Sequence, residues 1–186
     1  MIPTVETCLQ LMDEYRMLAN IKDHSRVVAR VAELITTELR QRGEALDLDL
    51  VTAGALLHDI AKTHCLDSRC DHAKVGSAIC RDLGFPETAE IVAEHVLLKS
   101  NGSGRITEKE IVYYADKRVN HDRVVSLRDR LDYILDRYAR NDEVRQDLIR
   151  QNFDKCLGVE KRVFAALDFR PEQVAALVMS RRDWRV

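Results

Sequence analysis

Glycine and proline are scarce, at seven and three in 186 residues. Few breaks interrupt a chain rich in Leu, Ala, Arg, Glu and Asp, so helices are favoured through most of its length. No stretch approaches the roughly 20 apolar residues that span a bilayer, and the N-terminus has no basic region followed by an apolar core. No membrane partner and no signal peptide are expected. Net charge is nearly absent too: Lys+Arg 29 against Asp+Glu 31 leaves −2. That balance gives no reason to expect a nucleic-acid backbone or an anionic membrane as the main partner, and a small molecule is expected instead. Cys-x-x-Cys pairs are missing. The five cysteines, Cys8, Cys65, Cys70, Cys80 and Cys156, form an odd set that suits free thiols in a reducing compartment, with cytoplasm the default. No linker-like composition, repeat or low-complexity segment divides the chain, so a single domain spanning 1–186 is expected.

Within Val5–Ala19 the apolar positions Leu9, Leu11, Met12, Tyr15 and Leu18 recur at near-helical spacing. After a polar break at Asn20–Asp23 the pattern resumes with Val27, Val31, Leu34, Ile35 and Leu39. The second helix is expected to be capped by Asp23 and stopped by Arg42-Gly43, which puts His24 in its first turn. A third, about Asp49 to Lys62, is almost wholly apolar until its end and is expected to be central. Thr63–Asp71 shows no apolar period and reads as a loop over that end. Helices follow at about His72–Leu83, ended by Gly84, and at Pro86–Leu98. Past a loop at Gly102-Ser103-Gly104, Thr107 and Glu110 form a Thr-x-x-Glu capping box that opens the sixth helix. Leu127–Tyr138, Val144–Leu157, Val159–Leu167 and a short helix after Pro171 complete an all-α reading with no strand.

At the end of the third helix, Leu56-Leu57 leads into His58-Asp59. An imidazole nitrogen beside a carboxylate oxygen suits divalent zinc, iron or manganese. His24, His72 and His95 also fall at or near predicted helix ends, and Asp116 sits late in the sixth helix behind an apolar stretch. Helix ends brought together in a bundle can aim side chains into one cavity. A buried aspartate calls for a cation, which a metal would provide. A single histidine is more often structural than a ligand. The ordered series carries the reading, and His64 and His121 are left as a loop residue near the site and a turn residue.

The order His24, His58-Asp59, Asp116 resembles the H…HD…D pattern of the HD superfamily of metal-dependent phosphohydrolases. The segments around Leu56–Lys62, His72–Ala78, Ile91–His95 and Glu110–Lys117 resemble the two-metal subgroup that includes the bacterial symmetrical diadenosine tetraphosphate hydrolases. The similarity covers about His24 to Asp122. It implies an HD-type helical bundle with a core about 20–122 and C-terminal helices 123–186 packed on it. It also implies two divalent metal ions, iron, manganese or zinc, held by His24, His58, Asp59, His72, His95 and Asp116, with Asp59 as the bridge. The common His-Asp-Ile-Gly reads His58-Asp59-Ile60-Ala61 here, and no Gly-Tyr-Pro triplet accompanies the site.

The implied chemistry is hydrolysis of a small phosphorylated substrate, a nucleotide above all, by a metal-activated water. Asp59 and Lys62 are the catalytic candidates. Lys62 follows His58 by four residues on the same helical face and can offer a point charge to a phosphate. Arg26, Lys74 and Lys117 are weaker candidates for that contact. Two alternatives keep the same ligands: a di-iron oxygenase, and a nucleotide-binding regulatory module without turnover. The basic tail Arg181-Arg182-Asp183-Trp184-Arg185 reads as a solvated helix end.

Overall fold

The computed structural model describes residues 1–68, 70–99 and 104–181. In chain order it contains α1 (Val5–Glu14), α2 (Ala19–Gln41), α3 (Leu48–Leu57), α4 (Lys62–Ser68), α5 (His72–Asp82), α6 (Pro86–Glu94) and α7 (Glu108–Lys117). A two-residue antiparallel hairpin follows, β1 (Val119–Asn120) against β2 (Arg123–Val124), with Val119 opposite Val124. Then come α8 (Leu127–Tyr138), α9 (Glu143–Ala165), a 3-10 turn (Pro171–Gln173) and α10 (Val174–Ser180). The fold is all-α, as expected. No helix among the described residues is long and apolar enough to cross a membrane.

Side-chain caps set most helix starts. The Asp47 carboxylate accepts from the backbone N–H groups of Asp49 at 2.9 Å and Leu50 at 3.0 Å, opening α3. Asp71 does the same for α5 through Lys74 N–H. The capping box at α7 is present in full, the Thr107 side chain accepting from Glu110 and the Glu110 side chain accepting from Thr107. Each cap contributes about 1 kcal/mol.

α3 is the hub. Every residue from Val51 to Leu57 is buried, and the helix packs against α1, α2, α6 and α7. α7 is the second buried helix, with Ile111 to Ala115 all inaccessible. Its tyrosines anchor the C-terminal part: the Tyr113 hydroxyl bonds Asn152 O at 2.6 Å and the Tyr114 hydroxyl donates to Glu160 at 2.7 Å, both on α9.

Several expectations are corrected. α2 starts at Ala19 rather than behind Asp23, so His24 lies in its second turn. Within the polar stretch Asn20–Asp23, Asn20 and Asp23 are exposed about one turn apart, while Ile21 between them is buried. Leu18 at the start has no side-chain cap, and its N–H is bonded instead to Thr63 Oγ1 at 3.1 Å. α3 stops at Leu57, so His58 to Ala61 form a turn. The segment expected as a loop contains the short helix α4, whose one buried residue is Cys65, too little to give an apolar period. α6 ends at Glu94, ahead of the expected Leu98. α9 runs unbroken through Gly158. A glycine there costs about 1 kcal/mol relative to alanine, less than burying Phe153, Cys156, Val159 and Val163 recovers. The β hairpin is too short to leave an alternating pattern.

The cysteines also differ from expectation. Cys65 and Cys70 form a disulfide, because α4 returns the chain until their Cα atoms are 5.0 Å apart, within bridging range. Cys8, Cys80 and Cys156 are free and buried, and burial pushes all three thiols up to about 12. Apart from Gly104 and Arg181, the loop expected at Gly102-Ser103-Gly104 and the basic tail lie outside the described residues.

Candidate metal centre

Five separate segments deliver six side chains to one place. His24 comes from the second turn of α2, His58 and Asp59 from the turn that ends α3, His72 from the first position of α5, His95 from the C-terminal cap of α6, and Asp116 from the last turn of α7. Two groups result, His24–His58–Asp59 and Asp59–His72–His95, each with ligand atoms within 4.8 Å of one another. Ligands bound to one ion at about 2.0–2.2 Å lie within about 4.4 Å of each other, so both groups suit a divalent cation with little adjustment.

Asp59 belongs to both groups. It is 1 % exposed. Its Oδ2 lies 3.3 Å from His58 Nε2, and its Oδ1 lies 3.3 Å from His72 Nε2 and 3.5 Å from His95 Nε2. Asp116 closes the first group, with Oδ1 3.0 Å from His24 Nε2 and 3.6 Å from His58 Nε2.

The imidazoles are oriented from behind. His24 Nδ1 donates to His121 O at 2.8 Å, His58 Nδ1 to Ala55 O at 2.7 Å and His95 Nδ1 to Val92 O at 2.7 Å. A carbonyl oxygen only accepts, so each Nδ1 carries a proton and Nε2 is the ring atom turned inward, bare whenever the imidazole is neutral. Those inward atoms have too few partners. His58 Nε2 and Asp59 Oδ1 are buried without a hydrogen bond. His72 Nε2 and His95 Nε2 face each other at 3.1 Å, where at most one can donate. With the imidazoles neutral, lone pairs and carboxylates converge with too few protons between them and call for a shared cation.

The electrostatics match. Burial works against both carboxylates, but the charges of Lys62 and of His58 in its protonated form hold Asp59 well below the usual carboxylate range. The His24 hydrogen bond and the Lys117 charge do the same for Asp116. Burial lowers His95. At His58 burial acts in the same direction, yet Asp59 and Asp116 outweigh it and raise the imidazole.

Lys62 opens α4, outside the helix that was expected to carry it, with Nζ 2.7 Å from Asp59 Oδ2. Of the weaker phosphate-contact candidates, Arg26 pairs with Asp23 and Lys74 with Asp71 on the surface. Lys117 is buried, donating to His95 O at 2.8 Å. His64 is exposed on α4. His121 sits in the β turn with φ 55°, and its backbone carbonyl orients His24. A cavity of about 240 Å³ opens beside the first group and is lined by His24, Asp59, Lys62, Arg130, Tyr133 and Tyr138, among others. The α8 residues on its wall were missed in the sequence. The available signal was the spacing Arg130, Tyr133, Arg137 on one helical face.

Residues 21–134 match the family described as HD domain. An uncharacterized protein of Methanocaldococcus jannaschii is 34 % identical over 95 residues, 50 % of this chain and 51 % of that protein. A tRNA (cytidine(56)-2'-O)-methyltransferase of Thermoplasma volcanium is 34 % identical over 96 residues, 51 % of this chain and 26 % of that protein. The enzyme of the same name from Picrophilus torridus is 27 % identical over 149 residues, 70 % of this chain and 40 % of that protein. The matches thus span about half or less of these relatives. No solved structure matches significantly. Since the matched span runs from the start of α2 into α8 and encloses every residue of the two groups, the chain belongs to the HD domain family.

Proposed function

We propose that this protein is a metal-dependent phosphohydrolase acting on a nucleotide or another small phosphate ester. The observation that carries the reading is Asp59, buried and turned toward three imidazoles through two different oxygens. His24, His58, Asp59 and Asp116 would hold one divalent ion, and Asp59, His72 and His95 a second. Nitrogen and carboxylate donors suit iron, manganese or zinc. Bound there, such ions supply an activated water and neutralise phosphoryl oxygens.

The remaining work falls to the chain. Backbone carbonyls fix the ring planes of His24, His58 and His95, so the donor set is ordered in advance. Asp59 divides its oxygens between the two groups. Lys62, held against Asp59 and lining the cavity, offers its ammonium to a phosphate oxygen of the substrate. The methyl-transfer activity named for two relatives is not carried over, because the matches cover only 26 % and 40 % of those proteins.

The test is elemental analysis of the purified protein followed by a phosphate-release screen across nucleotides and sugar phosphates, with and without oxygen. His58→Ala and Asp59→Ala should lose both metal and phosphate release while keeping helical circular dichroism. Full activity in a metal-free variant would refute the reading. Turnover that requires oxygen would favour the di-iron alternative.

A further inference from the structure

The cavity beside the first group has a second wall, made by a helix outside the H…HD…D series. Arg130, Tyr133 and Arg137 stand at i, i+3 and i+7 on α8 and line the cavity together with Tyr138. The adjoining face of α8 packs Leu131 and Ile134 on the core, so the arginine-tyrosine stripe beside it has a fixed direction.

Three cations, Lys62, Arg130 and Arg137, line this space against one carboxylate, Asp59. Lys62 is bonded to that carboxylate. Among the described residues Arg130 is not paired with an acid. Its Nη1 donates to Asn120 Oδ1 at 2.9 Å, its guanidinium lies 5.6 Å from the Tyr133 ring centroid, and its Nε is buried without a hydrogen bond. The group is therefore oriented by neutral neighbours, and its charge meets no carboxylate among the described residues. Arg118, Arg140 and Arg162, by contrast, each meet a carboxylate. Arg137 has no ion-pair partner among the described residues. A guanidinium fixed in this way, with the exposed Arg137 one step along the same cavity wall, favours an oxyanion with several acceptors, such as phosphate.

The rest of the lining is suited to an organic ring. Leu18, Ile21 and Leu66 supply apolar surface, and Tyr138, 54 % exposed, stands free to stack. The volume of about 240 Å³ lies below the roughly 300–1,000 Å³ of sites for larger ligands. That suits one nucleoside rather than two. Resting on the phosphohydrolase reading above, we infer that α8 is the substrate-recognition wall of this site, with Arg130 and Arg137 taking the phosphate of a mononucleotide and Tyr138 stacking on its base.

The experiment is calorimetric titration of the manganese-loaded full chain with adenosine 5′-monophosphate, ribose 5-phosphate and diadenosine tetraphosphate, alongside phosphate-release kinetics. Arg130→Met and Arg137→Met should each weaken both monophosphates about tenfold or more, with metal content unchanged and the loss appearing in KM. Because Arg130 also contacts Asn120 and Tyr133, Arg130→Lys should recover part of the affinity, and the exposed Arg137 gives an independent reading. Tyr138→Ala should erase the preference for adenosine 5′-monophosphate over ribose 5-phosphate. Unchanged affinity and KM in both arginine variants, or tighter binding of diadenosine tetraphosphate than of the monophosphate, would overturn the assignment. Phosphate release that persists in that case leaves the phosphohydrolase reading in place. Arginine-dependent binding with no phosphate release under any metal supports the wall and rejects the hydrolase.

Discussion

Gly54 on α3 faces Ile91 on α6, and a methyl group added there has no room. A Cβ at Gly54 would sit 2.7 Å from Ile91 Cγ2, 2.8 Å from Cδ1 and 3.1 Å from Cβ. Carbon atoms prefer about 3.5–4.0 Å. Ile91 is 2 % exposed and β-branched, so it cannot swing aside cheaply, and its own Cβ is part of the clash. Gly54→Ala gains about 1 kcal/mol of helix propensity but incurs about 1–3 kcal/mol of overpacking. A net loss of about 1 kcal/mol is expected, with Tm lower by about 2–4 °C for a chain of this length. Parting α3 from α6 also moves Asp59 from His95, now 3.5 Å apart between Oδ1 and Nε2, so metal binding by the second group should weaken as well. Urea denaturation of the wild type, Gly54→Ala, Ile91→Ala and the double variant measures the contact. Ile91→Ala alone should cost about 2–5 kcal/mol. In the double variant the new methyl enters the space left by Ile91, so the combined loss should fall short of the sum by about 1 kcal/mol or more. Additivity within about 0.5 kcal/mol, or a stabilising Gly54→Ala, would show that the helices are not held at this distance by the missing side chain.

Thr107→Ala removes one half of the capping box at α7 and should cost about 1 kcal/mol in chemical denaturation. Reducing the Cys65–Cys70 bridge, which closes a loop with a sequence separation of 5, should lower stability by about 2 kcal/mol on loop-entropy grounds, measured with and without reductant. Partial burial pushes the Asp71 carboxyl up, but the hydrogen bond from Lys74 N–H prevails and lowers it. A carboxylate whose folded value lies below the unfolded value of about 3.9 adds stability above that pH, and loses it as pH falls through the folded value. Asp71→Asn keeps a capping oxygen without the titration, so its denaturation midpoint should change less than that of the wild type between about pH 4 and pH 2.

Helix signals tied to one or two residues were readable in the sequence. Thr107 with Glu110 located α7, Gly84 and Pro86 located the junction of α5 and α6, and the limits of α8 agree with the apolar pattern from Leu127 to Tyr138. The misreadings share a cause: the deciding contact lay far away in the chain. Leu18 begins α2 with its N–H bonded to Thr63, and Gly158 stays helical because its neighbours on α9 are buried. The six residues of the candidate centre could be named because their chemistry is local, and the structure brings all six together. The α8 wall was hidden because arginines and tyrosines on a helix normally face water. Only the fold shows that this face looks into a cavity.

His24 and Asp116 touch across a sequence separation of 92, with His58, Asp59, His72 and His95 between them. An unfolded chain therefore has little chance of holding even half of the donor set at once, and loop closure on this scale is costly until the helices have docked. A cation that prefers the assembled centre would pull the whole equilibrium toward the native state, by about 2.7 kcal/mol at a hundredfold excess over its Kd. Thermal shift against metal concentration would then report on the integrity of every helix from α2 to α7 at once.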